Sequence, residues 1–409
     1  MNLRDFDAGR DRDSVLRIWR EVGWLPKDRH EDFDLLLQCS RCSVADLDGA
    51  AESAVTTTPG SLRYLDEDLP LCCVTGVATS RVARKKGLAT RLLARAVAAD
   101  AAEGALVAGL GIFEQGFYNR LGFGTGAYEH WLAFDPAGLR VAAEARVPRR
   151  LTADDWEMVH ASRLARLRGH GACNIHPPQF TRAEMLGTEK GFGLGYCDGP
   201  QRELTHHLWC DVREPEHGPY HVQSLAFRTR EQFLELMALI KSLGDQVHLV
   251  EMREPAGMQL QDLLDRPFRR RRATQRTRLE NSLHASAYWQ LRICDLPACL
   301  ARTHLRAADV CFNLRLSDPI ESLLQADSAW RGVAGDYVVT LGGSSGAQQG
   351  LDPSLPTLTA SVGAFTRMWM GVQPASGLAV TDELAGPQAL LEALAWALRL
   401  PDPRPDWDF

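Results

Sequence analysis

Apolar and polar positions along the chain change period several times. From Asp11 to Trp24, Val15, Leu16, Trp19 and Val22 recur three and four residues apart. That spacing predicts an amphipathic helix, capped by Asp13 or Ser14 and stopped near Gly23. Between residues 43 and 80, short β-prone runs at 43–46, 54–58, 62–65 and 71–78 alternate with Gly, Pro and Asp, which predicts a meander of strands. The pattern then switches to an Ala/Leu/Arg helix over 87–99, a buried strand over 104–112, a short helix over 114–120 and a strand over 127–134.

Residues 135–150 are rich in Ala, Pro and Arg with weak periodicity, and mark a boundary. Beyond it, Val147 to Val159 echoes the start of the chain as a short strand, an acidic cap and a helix, and 222–227, 231–243 and 246–252 repeat strand, helix and strand. A duplicated fold is expected. From Trp289, strands at 289–293, 309–316, 335–341 and 357–362 mix with helices at 296–305, 362–371 and 387–398, an α+β unit. The expected domains are 1–137, 145–285 and 287–409. Gly342-Gly343-Ser344-Ser345-Gly346 follows a strand but lacks the Lys-Ser/Thr of a nucleotide-binding loop, so it reads as a hairpin turn.

Composition narrows the functional classes. A chain of 409 residues exceeds what one core organises. Its net charge of −6 argues against bulk attraction to nucleic acid or an anionic membrane. No leader-like start and no spanning apolar run is present, so a cytoplasmic protein is expected. Ten cysteines are scattered, and Cys39 and Cys42 form a CxxC pair without the second pair or His pair a zinc site wants. No metal is expected, and the cysteines read as reduced thiols. The basic run Arg269 to Arg272, continuing through Arg276 and Arg278, has no interleaved aromatics and reads as a linker or subunit contact.

The chemistry-bearing segment is Val77-Ala78-Thr79-Ser80-Arg81-Val82-Ala83-Arg84-Lys85-Lys86-Gly87-Leu88-Ala89-Thr90-Arg91. It joins a strand end to a helix start through a basic turn. Unpaired N–H groups at a helix N-terminus can donate to a pyrophosphate, Gly87 allows close backbone approach, and the run of cations supplies local positive charge. After the next strand comes Phe117-Tyr118-Asn119-Arg120-Leu121-Gly122-Phe123.

Together, in this order, these motifs resemble the GNAT superfamily of N-acetyltransferases. The resemblance implies that Val77, Ala78 and Thr79 pair with the pantetheine arm of acetyl-coenzyme A, and that Arg84, Lys85, Lys86, Gly87, Leu88, Ala89 and Thr90 hold its pyrophosphate. Tyr118 is implied as the acid that protonates the leaving sulfur. With the later segments added, the chain resembles the Eis (enhanced intracellular survival) acetyltransferases. That implies an α/β (α+β) architecture of tandem GNAT-like domains with a C-terminal sterol-carrier-protein-like α+β domain. It also implies the carboxylate of Phe409 as base, a homo-oligomer that is a hexamer, and a small-molecule amine as acceptor: an aminoglycoside, polyamine, arylalkylamine or lysine. Trp24 is a candidate wall of the acceptor pocket, and Asp408 a group that attracts a cationic amine. Phe113 and Gln115 depart from the family pattern before the tyrosine. A coenzyme A-binding regulatory or scaffold protein is therefore the alternative.

Overall fold

The computed structural model describes residues 2–26, 30–188, 190–265, 267 and 276–409; the arginine run Arg269 to Arg272 lies outside them. The chain opens with β1 (Asn2–Asp5), α1 (Ala8–Glu21), α2 (Glu31–Cys39), β2 (Arg41–Leu47), β3 (Ala50–Tyr64), β4 (Glu67–Thr79), α3 (Leu88–Ala102), β5 (Val107–Gly111) and β6 (Gly124–Thr125). It continues with β7 (Glu129–Phe134), β8 (Arg149–Leu151), α4 (Trp156–Leu164), β9 (Cys173–Ile175), α5 (Pro178–Gly187), β10 (Phe192–Tyr196), β11 (His206–Val212), β12 (Tyr220–Ala226), α6 (Arg230–Ser242), β13 (Val250–Arg253) and β14 (Ser282–Ser286). The remainder is β15 (Trp289–Ile293), α7 (Leu296–Ala301), β16 (Val310–Ser317), β17 (Gly335–Leu341), β18 (Gly346–Gln349), β19 (Thr357–Ser361), α8 (Val362–Trp369), α9 (Ala375–Thr381), β20 (Leu384–Ala385) and α10 (Gln388–Ala397). Two compact units result: 1–127 with 170–176 and 287–409, and 128–169 with 177–286.

In the first unit a sheet runs β1-β2-β3-β4-β5-β15-β6, with β9 added beside β3. Helix α1 starts at Ala8, earlier than its apolar spacing predicts, because Asp7 is the cap and accepts a hydrogen bond from the Arg10 N–H at 3.1 Å. Asp11 is instead buried, held by Arg4 at 2.5 and 2.7 Å, and Arg4 also forks to Asp46. The two strands expected over 54–58 and 62–65 are one, β3. Its Pro59 falls between the stretch paired with β2, which ends at Thr57, and the stretch paired with β9, which begins at Gly60. A residue without an N–H is tolerated at such a gap. The helix expected over 114–120 is only a single tight turn, Tyr118–Leu121.

Strand β15 is buried along its whole length and lies antiparallel to β5, from Trp289↔Gly111 to Ile293↔Val107. The same unit contains a five-stranded sheet, β18-β17-β16-β19-β20, with Gly342 to Gly346 forming the hairpin turn between β17 and β18. Tyr64, at the end of β3, stacks on Trp369 of α8 with ring centres 4.3 Å apart and planes 6° apart, and donates its hydroxyl to the Trp369 carbonyl at 3.0 Å. His170 meets the Tyr64 ring edge-on at 5.1 Å; its Nδ1 accepts from the Leu65 N–H and its Nε2 bonds the Met370 carbonyl.

The second unit repeats the first. Its sheet runs β14-β7-β13-β12-β11-β10-β8, so β8-β10-β11-β12-β13 follows the same spatial order as β1-β2-β3-β4-β5, with α4 and α5 after the first strand and α6 between the parallel pair β12 and β13. Its core packs α6 residues Phe233, Leu236, Met237 and Ile240 against Leu208, Val222, Val250 and Met252. The expected duplication is present, and the fold is a mixed α/β one with two units of the same strand order.

Removing the Tyr64 ring in Tyr64→Ala should destabilise the chain by about 3 kcal/mol and Tyr64→Phe by about 1 kcal/mol, read by chemical denaturation. Burial lowers His170 to about 4 and His207 to about 3, so both stay neutral in the fold while their unfolded forms titrate near about 6.5. Below that pH the unfolded chain binds more protons, so denaturant midpoints should fall as pH drops from about 6.5 towards 4.

Candidate active site

Strands β4 and β5 are parallel and in register from Leu71↔Val107 to Val74↔Leu110, and no further. Opposite them, β3 pairs Thr57 with Val74 but Thr56 with Gly76, so Thr75 is an extra residue, a β-bulge in β4. A bulge turns the strand locally. Past it, Gly76 to Thr79 pair with β3 alone, and the β5-facing edge of β4 is open. The residues Val77, Ala78 and Thr79 lie on this open stretch. Ser53 fixes it from the β3 side, donating to the Ala78 carbonyl at 3.0 Å and bonding the Thr79 hydroxyl at 2.9 Å.

The loop that follows is tied back by Glu21, whose carboxylate accepts from the Arg81 N–H at 2.8 Å; that bond chiefly holds Glu21 below the usual carboxylate range. Lys85 and Gly87 both take positive φ, 62° and 72°, around exposed Arg84, Lys85 and Lys86. Alternating backbone of this kind turns successive N–H groups to one side, a concavity suited to an anion. Gly87 caps α3 without a side-chain hydrogen bond, and a methyl placed on it would meet nothing within 4 Å. The corresponding helix of the second unit is closed by its own side chains. There Thr229 accepts from the Gln232 N–H and Gln232 accepts from the Arg228 N–H at 2.7 Å. The first unit therefore leaves open a helix start that side chains close in the second, and its residues fit a pyrophosphate-bearing cofactor.

Tyr118 stands on the tight turn after β5. It is 2% exposed, with Phe117, Phe113 and Phe123 edge-on at 4.9, 5.8 and 6.3 Å. Burial, and then the neighbouring Tyr288 and Glu114, push its phenol well above the ordinary tyrosine value, so it keeps its proton. Phe113, the departure from the family pattern, is 67% exposed and forms part of this aromatic setting.

The chain's last residue reaches the same strand. A methyl on Gly109 would come within 3.5 Å of the Phe409 ring, and one on Gly111 within 3.3 Å of the Phe409 main-chain oxygen and 3.1 Å of the Tyr288 ring. Both glycines are seats rather than turns, and nothing in their local pattern distinguishes them from an ordinary buried strand. Trp407 beside it is 1% exposed, and Asp406 accepts from the Cys173 N–H of β9 at 3.2 Å. Asp408 is exposed. Trp24 lies edge-on to Trp19 at 5.5 Å, both over Gly76 beside the bulge. Trp24 thus lies beside the bulge of β4, and Phe409 beside the end of β5. Tyr288 and the two glycines were not legible in the sequence.

Among the described residues, Asp198, His206 and Glu235 of the second unit form one group of metal-ligand type. Arg146 already forks to both carboxylates, with shortest contacts of 2.7 Å, so the cluster is an ion-pair network. All ten cysteines are free thiols. Arg278 pairs with Glu214 at 2.9 Å. No helix among the described residues is long and apolar enough to cross a membrane.

Residues 9–126 match the family of acetyltransferase (GNAT) domains. Residues 9–126, which hold the bulged β4 and the open helix start, are thus a GNAT-type acetyltransferase domain, a class whose chemistry is acyl-coenzyme A-dependent N-acetylation. In fold the whole chain resembles Eis1 from Mycobacterium abscessus, at 17% identity and a TM-score of 0.77, covering 100% of both chains. It is likewise similar to a GCN5-related N-acetyltransferase from Kribbella flavida (20% identity, TM-score 0.74, 100% and 98% of the chains). A conserved Enterococcus faecalis protein shares the fold at 18% identity and a TM-score of 0.80, over 100% and 99% of the chains. No functionally curated protein matches the sequence.

Gly87→Val places a β-branched side chain at positive φ in the cradle. Its dissociation constant for coenzyme A, measured by calorimetry, should rise about tenfold or more, consistent with a local strain of about 1–3 kcal/mol.

Proposed function

We propose that the protein transfers the acetyl group of acetyl-coenzyme A to a primary amine, with Tyr118 as general acid and the Phe409 α-carboxylate as general base. The observation that supports this reading is the Phe409 main-chain oxygen beside Gly111 at the end of β5, the strand that leads into the Tyr118 turn and past whose pairing with β4 the edge of β4 is open. Val77, Ala78 and Thr79 would pair with the pantetheine arm, and Arg84 to Thr90 would hold the pyrophosphate through backbone N–H groups and local positive charge. Acetyl-coenzyme A, when bound, supplies the activated thioester.

Two protons must move. As the new C–N bond forms, the attacking nitrogen becomes acidic, and a carboxylate at Phe409 takes its proton. Tyr118, whose phenol keeps its proton, would give that proton to the departing sulfur. The phenol then regains a proton from solvent.

The acceptor would lie against Trp24, with exposed Asp408 adding negative charge that favours a cationic amine. The candidates are an aminoglycoside, a polyamine, an arylalkylamine and a lysine side chain. A homo-oligomer, hexameric by the resemblance to Eis enzymes, a cytoplasmic location and a sterol-carrier-like ancestry for the five-stranded sheet belong to the same proposal.

Thiol release from acetyl-coenzyme A over a panel of those four amine classes tests the reading. Acceptor-dependent release is expected from at least one class; coenzyme A binding without it would favour a regulatory or scaffold protein. Adding one residue after Phe409, or removing Phe409, should lower kcat about a hundredfold, and Tyr118→Phe about tenfold or more, with coenzyme A affinity near that of the unaltered protein. Unchanged turnover would remove the corresponding role.

A further inference from the structure

Strand β15 does more than complete the first sheet, because one of its faces grips the turn that carries Tyr118. Gln290 and Arg292 are two residues apart on β15, so they point to the same side, and both are 0% exposed. Gln290 Nε2 donates to Asn119 Oδ1 at 3.3 Å and to Thr125 Oγ1 at 3.0 Å. Asn119 in turn donates its Nδ2 to the Phe123 carbonyl at 3.0 Å. Arg292 Nη1 donates to the Leu121 carbonyl, and Nη2 donates to Asp318 Oδ2 at 2.6 Å in an ion pair with no exposure on either side. The residues gripped, Asn119 and Leu121, belong to the single turn that begins at Tyr118.

Asp318 is itself fixed. It accepts from the Ile320 N–H at 3.2 Å and the Val333 N–H at 3.0 Å, while Trp330 lies against the Arg292 guanidinium at 5.1 Å and donates its indole N–H to the Cys294 carbonyl at 2.8 Å. The turn ends at Gly122 with φ of 81°, and a methyl there would strike Val362 and approach Arg292 Nη1 at 3.1 Å and Asp318 Oδ1 at 3.2 Å. Phenol orientation at a reacting sulfur is sensitive to displacements of about 1 Å, and a single turn has too few internal hydrogen bonds to hold its own position.

We infer that Gln290, Arg292 and Asp318 are positioning residues for Tyr118, fixing the acid through the turn's Asn119 side chain and Leu121 carbonyl. This rests on the reading of Tyr118 as the acid. None of the three touches the acyl donor's cradle, so their effect belongs in kcat rather than in cofactor binding.

The test is a double-mutant comparison in the full chain, using acetyl-coenzyme A and the best amine of the panel. Asp318→Asn and Gln290→Met are made alone and with Tyr118→Phe. Each alone should lower kcat about tenfold with the coenzyme A dissociation constant within about twofold of the unaltered protein, and each should add less than about twofold to Tyr118→Phe, because the acid they position is already gone. Equal losses with and without the tyrosine hydroxyl would mean a structural role and overturn the inference, as would unchanged kcat in the single variants. Asp318→Asn unpairs a buried guanidinium and is the variant more prone to misfold; Gln290→Met removes no charge and decides the matter by itself. Full turnover in Tyr118→Phe would overturn the acid role first and this inference with it. A loss there combined with unaltered kcat in Gln290→Met would overturn only the positioning.

Discussion

The pairing of β15 with β5 is the contact on which the first unit depends. Strand β5 is short, apolar and parallel to β4, and past Val74 it loses β4 to the bulge. Without β15 its other edge would have no partner, and buried backbone groups left unpaired are costly. By supplying that edge, the late segment also supplies Tyr288, Gln290 and Arg292 to the neighbourhood of Tyr118. The Tyr64 and Trp369 stack makes a second link of the same kind, joining β3 to α8. The motif-bearing part and the carboxyl-terminal part share one core.

The two GNAT-like units show how small a difference separates an open helix start from a closed one. Both place a helix between parallel strands, with its N-terminal donors at the strand ends. In one, Thr229 accepts from the Gln232 N–H and Gln232 accepts from the Arg228 N–H before the cap, so side chains close the helix start. In the other, Gly87 contributes no side chain, positive φ at Lys85 and Gly87 turns the backbone outward, and cations surround it. The chain's net negative charge is thus compatible with a local anion site, because such a site can be made by backbone geometry and a few side chains rather than by bulk charge.

Much of this was legible in the sequence, and the parts that were not share a cause. Helix periodicity located α3, α6, α8 and α10, the strand-to-helix motif from Val77 to Thr90 came from spacing and residue type, and Tyr118 came only from the resemblance to GNAT sequences. Local signals misplaced the start of α1, because Asp7 and Asp13 look alike as caps until Arg4 claims Asp11. They split β3 at Pro59, since a change of neighbour from β2 to β9 leaves no mark in the strand itself. They gave no hint of the bulge at Thr75 or of the glycine seats at 109 and 111, because these are defined by residues far along the chain.

The sequence distance across the β5 and β15 pair also bears on how the protein is made. Trp289 leaves the ribosome roughly 180 residues after Gly111, its partner in the sheet. At about 5–20 residues per second, the open edge of β5 waits on the order of 10 to 40 s for its neighbour. Throughout that interval a half-built apolar sheet presents a pairing edge to any other nascent chain. The segment that matches the acetyltransferase family is therefore not a domain that matures first and awaits its appendages, since its sheet becomes whole only when the late strand arrives.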